Sequence, residues 1–194
     1  MRCSQIPALV LIAVLLQGLL VPSVTWSAEQ KSITVPDGWV ETFRQANEGM
    51  SMVEYVPDGQ NFKNWSEMMT VVRTRARNSK IVRSLLQIPI AAIAKRCRAD
   101  PLVRSRYRDQ QDRQQGIIAE VACDDVDTSN TPPGVVAFRK ELLRVYAGEV
   151  GSGVLSLQLA WHDAELSARS KFGDTTHQAF FEARILDARK QFAR

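Results

Sequence analysis

Apolar and polar positions change rhythm several times along this 194-residue chain, and each change marks an element. Trp39 to Gln45 and Met50 to Val56 read as two strands joined around Asn47-Glu48-Gly49, a hairpin. Pro57-Asp58-Gly59 opens a loop, Asn64-Trp65-Ser66-Glu67 suggests one helical turn, and Met69 to Arg77 then alternates like a strand. Val72, Thr74 and Ala76 fall on one side of that strand, and Val71, Arg73, Arg75 and Arg77 on the other. The period then lengthens. Val82, Leu86, Ile90, Ile93 and Cys97 recur at steps of three or four behind Asn78 and Ser79, both good N-caps, so a helix is predicted up to Asp100-Pro101. Pro89 lies inside it and predicts a kink, or two shorter helices meeting there, because proline lacks the N–H and crowds the preceding turn.

A two-residue period then returns. Val103, Ser105 and Tyr107 alternate with Arg104, Arg106 and Arg108, and after a polar turn Ile117, Ala119, Val121 and Cys123 share one face. Asp124 to Gly134 is a loop by composition. Val135 to Tyr146 and Val154 to Trp161 are the last two strands, with Leu155, Leu157, Leu159 and Trp161 facing a core. A final helix starts at Asp174 or Thr175 and carries Phe181, Ile185, Ala188 and Phe192 on one stripe. The order of elements predicts an α+β fold: a largely antiparallel sheet with two main helices packed on one face. No internal repeat or second domain interrupts it, so residues 29–194 read as a single domain.

The first 28 residues change the picture of where the protein works. Arg2 precedes a run, Ala8 to Leu20, that is apolar apart from Gln17 and Gly18, and Pro22 and small residues follow. That order is a secretory signal peptide over 1–28, with the cut after Ser27 or Ala28. Cys3 leaves with it. No later segment is apolar for long enough to cross a bilayer. The full chain has 25 Lys and Arg against 21 Asp and Glu, a net charge of +4, and losing Arg2 leaves 4 − 1 = +3. This is too mild an excess for a dedicated nucleic-acid binder. Two cysteines remain, Cys97 and Cys123; in an oxidising compartment such a pair forms a disulfide, worth roughly 3 kcal/mol on the chain-entropy model. It would staple the first helix onto the sheet.

Candidate chemistry is sparse. His162 and His177 are the only histidines. Asp163 follows His162 directly and so points to the other face of its strand, and the chain has no nucleophile elbow and no C-x-x-C pair. Neither catalytic residues, a cofactor nor a metal site is therefore assigned. Asp124, Asp125 and Asp127 imitate the start of a calcium loop, but Asn130 stands where glycine is needed and Val136 where a bidentate glutamate is needed. Trp39, Trp65 and Trp161 read as core or core-edge residues. The arginine rows are the distinctive feature. Arg73, Arg75 and Arg77, with Arg104, Arg106 and Arg108, would line one face if their strands were neighbours, either interleaved with acids such as Glu120 and Glu141 or forming an anion-binding face. Its ligand would be a phosphorylated lipid, an acidic glycan or an acidic partner protein.

Glu54-Tyr-Val-Pro-Asp-Gly-Gln60, followed by Asn64-Trp65-Ser-Glu-Met-Met-Thr70, resembles a pattern in a group of small exported bacterial proteins. A helix ending in cysteine and a later strand cysteine are similar too. The resemblance implies a bacterial periplasmic or secreted protein with an α+β fold, and it brings no activity with it. The expectation is an exported, non-enzymatic binding protein whose first candidate surface is the arginine face. The alternatives are a hydrolase acting on envelope material and a subunit of an envelope assembly.

Overall fold

Two antiparallel meanders join into one sheet. The computed structural model describes residues 33–107, 116–131, 133–163, 167–168, 171 and 173–192; the expected signal peptide and Arg108 lie outside them. The first meander is β1 (Trp39–Ala46), β2 (Met50–Pro57) and β3 (Glu67–Thr74). Helix α1 (Ser79–Arg96) then leads to a second meander of β4 (Leu102–Tyr107), β5 (Gly116–Cys123), β6 (Lys140–Val150) and β7 (Gly153–Asp163), and α2 (Thr175–Phe192) follows. The strand order is β1-β2-β3-β7-β6-β5-β4, with every pairing antiparallel. The α1 connection therefore carries the chain from β3 to the far edge, and β7 returns to close against β3.

The two helices lie on opposite faces of the sheet, which corrects the expectation of one shared face. Helix α1 buries Leu86 and Ile93 against Ala119, Val121, Leu143, Val145 and Ala147. Helix α2 buries Phe181, Ile185 and Ala188 against Ile118, Tyr146, Leu155, Leu157 and Leu159. These two sets alternate along β5 and β6, and alternate residues of a strand point to opposite faces. The central strands are thus covered on both sides, as their near-continuous burial records.

Helix α1 begins where its sequence says, with the Asn78 side chain accepting from the Lys80 N–H. It runs unbroken through Pro89 to Arg96, so the proline neither splits nor ends it. Immediately beyond, Cys97 bonds Cys123, whose side chain is fully buried on the α1 face; the Cα atoms are 5.8 Å apart. The expected staple is present. At the other end of the sheet, β6 turns into β7 through Gly151, whose φ of +58° suits glycine, and a Cβ on Gly153 would collide with the Thr74 carbonyl oxygen.

Candidate functional site

The geometry separates the two arginine rows. β3 and β4 each present an arginine to the α2 face, since Arg73 pairs in register with Leu155 and Arg104 with Glu120; the backbone of Arg106 pairs with Ile118. Three strands stand between them, about 19 Å at the usual strand spacing. They form no common arginine face. Arg73 is half-buried, its guanidinium lying 3.8 Å from the centre of the Phe192 ring at the end of α2, and desolvation there pushes its pKa down. Arg75 and Arg77 lie past the end of β3 and are exposed; Arg77 donates to the Gly151 carbonyl oxygen.

The interleaving acids are where charge balance wants them, but on opposite faces. Across β4, β5 and β6 the register runs Arg104, Glu120, Arg144, a row of alternating sign. Arg144 is fully buried and its Nε donates to Glu120 Oε1 at 2.7 Å. Its remaining nitrogens donate to His177 Nδ1 and the Lys171 carbonyl oxygen. Arginine has no acceptor, so Nδ1 must carry the lone pair and the imidazole proton sits on Nε2. The first turn of α2 is thereby pinned to the sheet by a buried cation. Sequence reasoning missed this cluster, although a charge inside each of two apolar runs, Ala-Glu-Val on β5 and Leu-Arg-Val on β6, is the signal that marks it.

Glu141 serves the other face. It accepts from Arg96 at 3.1 Å, and His162 Nε2 lies 3.3 Å from its second oxygen. The His162 ring is sandwiched between Trp65, at 3.7 Å between centroids, and Phe138, at 4.7 Å. The histidine considered for catalysis is a clasp: it holds the loops carrying Trp65 and Phe138 onto the end of β6 and β7. The carboxyls with raised pKa are elsewhere. Burial raises Glu54, which pairs in register with Thr70 on β2 and β3, away from His162. Burial also raises Glu67, which pairs with Trp161 and so faces the α2 side.

Glu54 gives a stability test. Its folded pKa lies above the unfolded one, so its contribution is favourable only at pH values below the unfolded pKa and turns into a cost as pH rises through the folded pKa. Glu54→Gln is expected to raise Tm at pH 7, with the difference closing as the pH falls to about 4, read by thermal melts across pH.

The acidic loop spends its carboxylates on the protein. Asp125 takes Arg139 at 2.7 Å, Asp127 takes Arg98 at 2.7 Å, and Asp124 accepts from Ser167 and the Ala168 N–H. Among the described residues no group of three or more His, Cys, Asp or Glu is placed to hold a metal ion. Trp39 stacks on Phe180, and Trp161 is buried with Ala122, Leu142 and Ala168, as core-edge and core residues.

What remains is an asymmetry between the two ends of the sheet. Among its described residues, the end formed by the β3 exit, the start of α1, the β6–β7 turn and the close of α2 carries exposed Arg75, Arg77, Lys80, Arg83 and Lys190, against Glu48 and Glu149. Among the described residues, Arg77, Lys80, Arg83 and Lys190 pair with no carboxylate. At the opposite end Arg96, Arg98, Arg139 and Lys171 each have one, while exposed Lys63 and Lys95 have none among the described residues. Helix α1 has no acid in its first turn, while Lys80 sits there against the positive end of the helix dipole. Helix stability does not explain that choice. No family model matches the chain, and no curated protein matches it.

Proposed function

We propose that this is an exported, non-enzymatic binding protein of bacterial origin that recognises an anionic partner through the basic end of its sheet. The observation that carries the reading is the set of exposed cations there, Arg77, Lys80, Arg83 and Lys190, that no carboxylate of the described residues neutralises. Unpaired surface cations repel one another and oppose the α1 dipole, a cost that an anionic ligand offsets. The disulfide and the two-sided core suit an extracytoplasmic protein that keeps a rigid scaffold under its binding surface. No helix of the described residues is long and apolar enough to cross a membrane.

The test is titration of the oxidised protein with long-chain inorganic polyphosphate across a salt series. Binding that weakens steeply as salt shortens the screening length, and that falls about tenfold or more in Lys80→Glu/Arg83→Glu, is expected. Equal binding by the variant would remove the basic end from the account.

A further inference from the structure

Resting on that reading, the geometry points to the surface of an anionic lipid bilayer as the ligand that the basic end takes. The cations do not converge. Arg75 and Arg77 leave the end of β3, Lys80 and Arg83 stand on the first turns of α1 on one face of the sheet, and Lys190 stands on the last turn of α2 on the other. Each helix packs about 10 Å from the sheet it covers, so the charges span a width of about 20 Å. A single phosphate or carboxylate needs several donors aimed at one point, whereas this end spreads its donors across three separate elements.

The described parts of the end are also low. The β1–β2 connection is Asn47 to Gly49, closed by the Asn47 side chain accepting from the Gly49 and Met50 N–H groups. The β6–β7 connection is the tight turn at Gly151, against which the Phe192 carbonyl packs so closely that a Cβ would collide with it. Arg75 donates its N–H to the Gly49 carbonyl and Arg77 reaches the Gly151 carbonyl, so both turns are tied to the cation-bearing segment. Short turns that leave several cations exposed can approach a planar array of phosphates together. Among the described residues the large exposed apolar side chains lie away from this end's turns: Phe62 and Val136 are on the loops of the opposite end, and Val40, Phe43, Ile88, Val103 and Leu186 lie within strands and helices. Adsorption here is therefore electrostatic and reversible, without insertion.

The experiment is co-sedimentation of the oxidised protein with vesicles of phosphatidylglycerol and phosphatidylcholine, beside vesicles of phosphatidylcholine alone and soluble polyphosphate. Wild type is expected to bind the anionic vesicles, to leave them at high salt and to ignore the neutral ones. Lys80→Glu/Arg83→Glu should bind the anionic vesicles about tenfold more weakly or worse, and the neutral pair Lys80→Gln/Arg83→Gln should fall between. Circular dichroism and thermal melts establish that both variants fold. Binding to polyphosphate but not to vesicles would overturn the bilayer inference and leave the anion reading standing. Binding to neither would overturn both, and vesicle binding that both variants retain would place the lipid contact elsewhere.

Discussion

Replacing Arg144 with alanine is expected to lower the folding free energy by about 3–5 kcal/mol, because it leaves a buried carboxylate without its cation. Arg144 has no exposed surface and Glu120 is 5 % exposed, so solvent cannot stand in for the lost partner. The same change strips a donor from His177 and from the Lys171 carbonyl, loosening the first turn of α2 from β6. Against a typical total of about 5–15 kcal/mol, such a loss brings the protein close to unfolding. Removing both charges is a different matter. Arg144→Met combined with Glu120→Leu is expected to recover most of the loss, since no unpaired ion then remains in the core. Urea denaturation of the single and double variants measures both quantities. A single-variant cost below about 1 kcal/mol would mean that the cluster holds nothing together, as is usual for surface pairs.

The second large effect belongs to Cys97 and Cys123, separated by 26 positions. Changing both to alanine is expected to cost about 3 kcal/mol from the unfolded chain's regained freedom. The unfolding midpoint of the wild type should drop on addition of reductant, while the double variant should be indifferent to it. A reductant-insensitive wild type would show that the bond contributes nothing to the measured transition. The bond lies where α1 ends and β5 ends, beside the Glu141–Arg96 pair, so its loss should also fray the last turn of α1.

Most strands and both helices were readable because their periods are clean, and the disulfide because both cysteines terminate predicted elements. The helical turn expected at Asn64 is absent, and the strand expected from Val135 begins only at Lys140. The two-sided core was harder to read. Along β7 the large apolar residues Leu155, Leu157, Leu159 and Trp161 alternate with Ser156, Gln158 and Ala160, which looks like a sheet with one wet face. Yet Ser156 is completely buried and Ala160 packs in the α1 cluster: small residues make room for a helix, and periodicity cannot distinguish that from solvent. The stronger sign was on β6, where Leu142-Leu143 and Val145-Tyr146-Ala147 are apolar on both alternations.

The candidate surface was half legible. Single-strand alternation placed Arg73 and Arg104 on strands, but β3 stops at Thr74, so Arg75 and Arg77 leave the sheet. Which strands are neighbours is set by the return of β7 to β3, a long-range pairing that no local pattern encodes. That pairing sends β4 to the opposite edge and dissolves the imagined arginine face. The basic end replaces it with residues that local patterning treated as helix surface, Lys80 and Arg83, joined to Arg75 and Arg77 only by the antiparallel geometry that brings turns and helix termini to one end. Glu120 was rightly suspected of balancing arginines. Its partner Arg144 passed unnoticed because a lone charge in an apolar strand has no periodic signature.

The central claim is one of location: anions bind at the basic end because of where its cations stand, and net charge alone does not produce the binding. The measurement that addresses it most directly compares two charge-matched variants, Lys80→Glu/Arg83→Glu at the basic end and Lys63→Glu/Lys95→Glu at the opposite end, for polyphosphate affinity at one fixed ionic strength of about 0.1 M. The account predicts that the first pair loses about tenfold or more in affinity while the second stays within about twofold of wild type, since separations beyond the roughly 10 Å screening length contribute little. Equal losses in the two pairs would contradict it, because the protein would then be responding to its overall charge without a recognition surface.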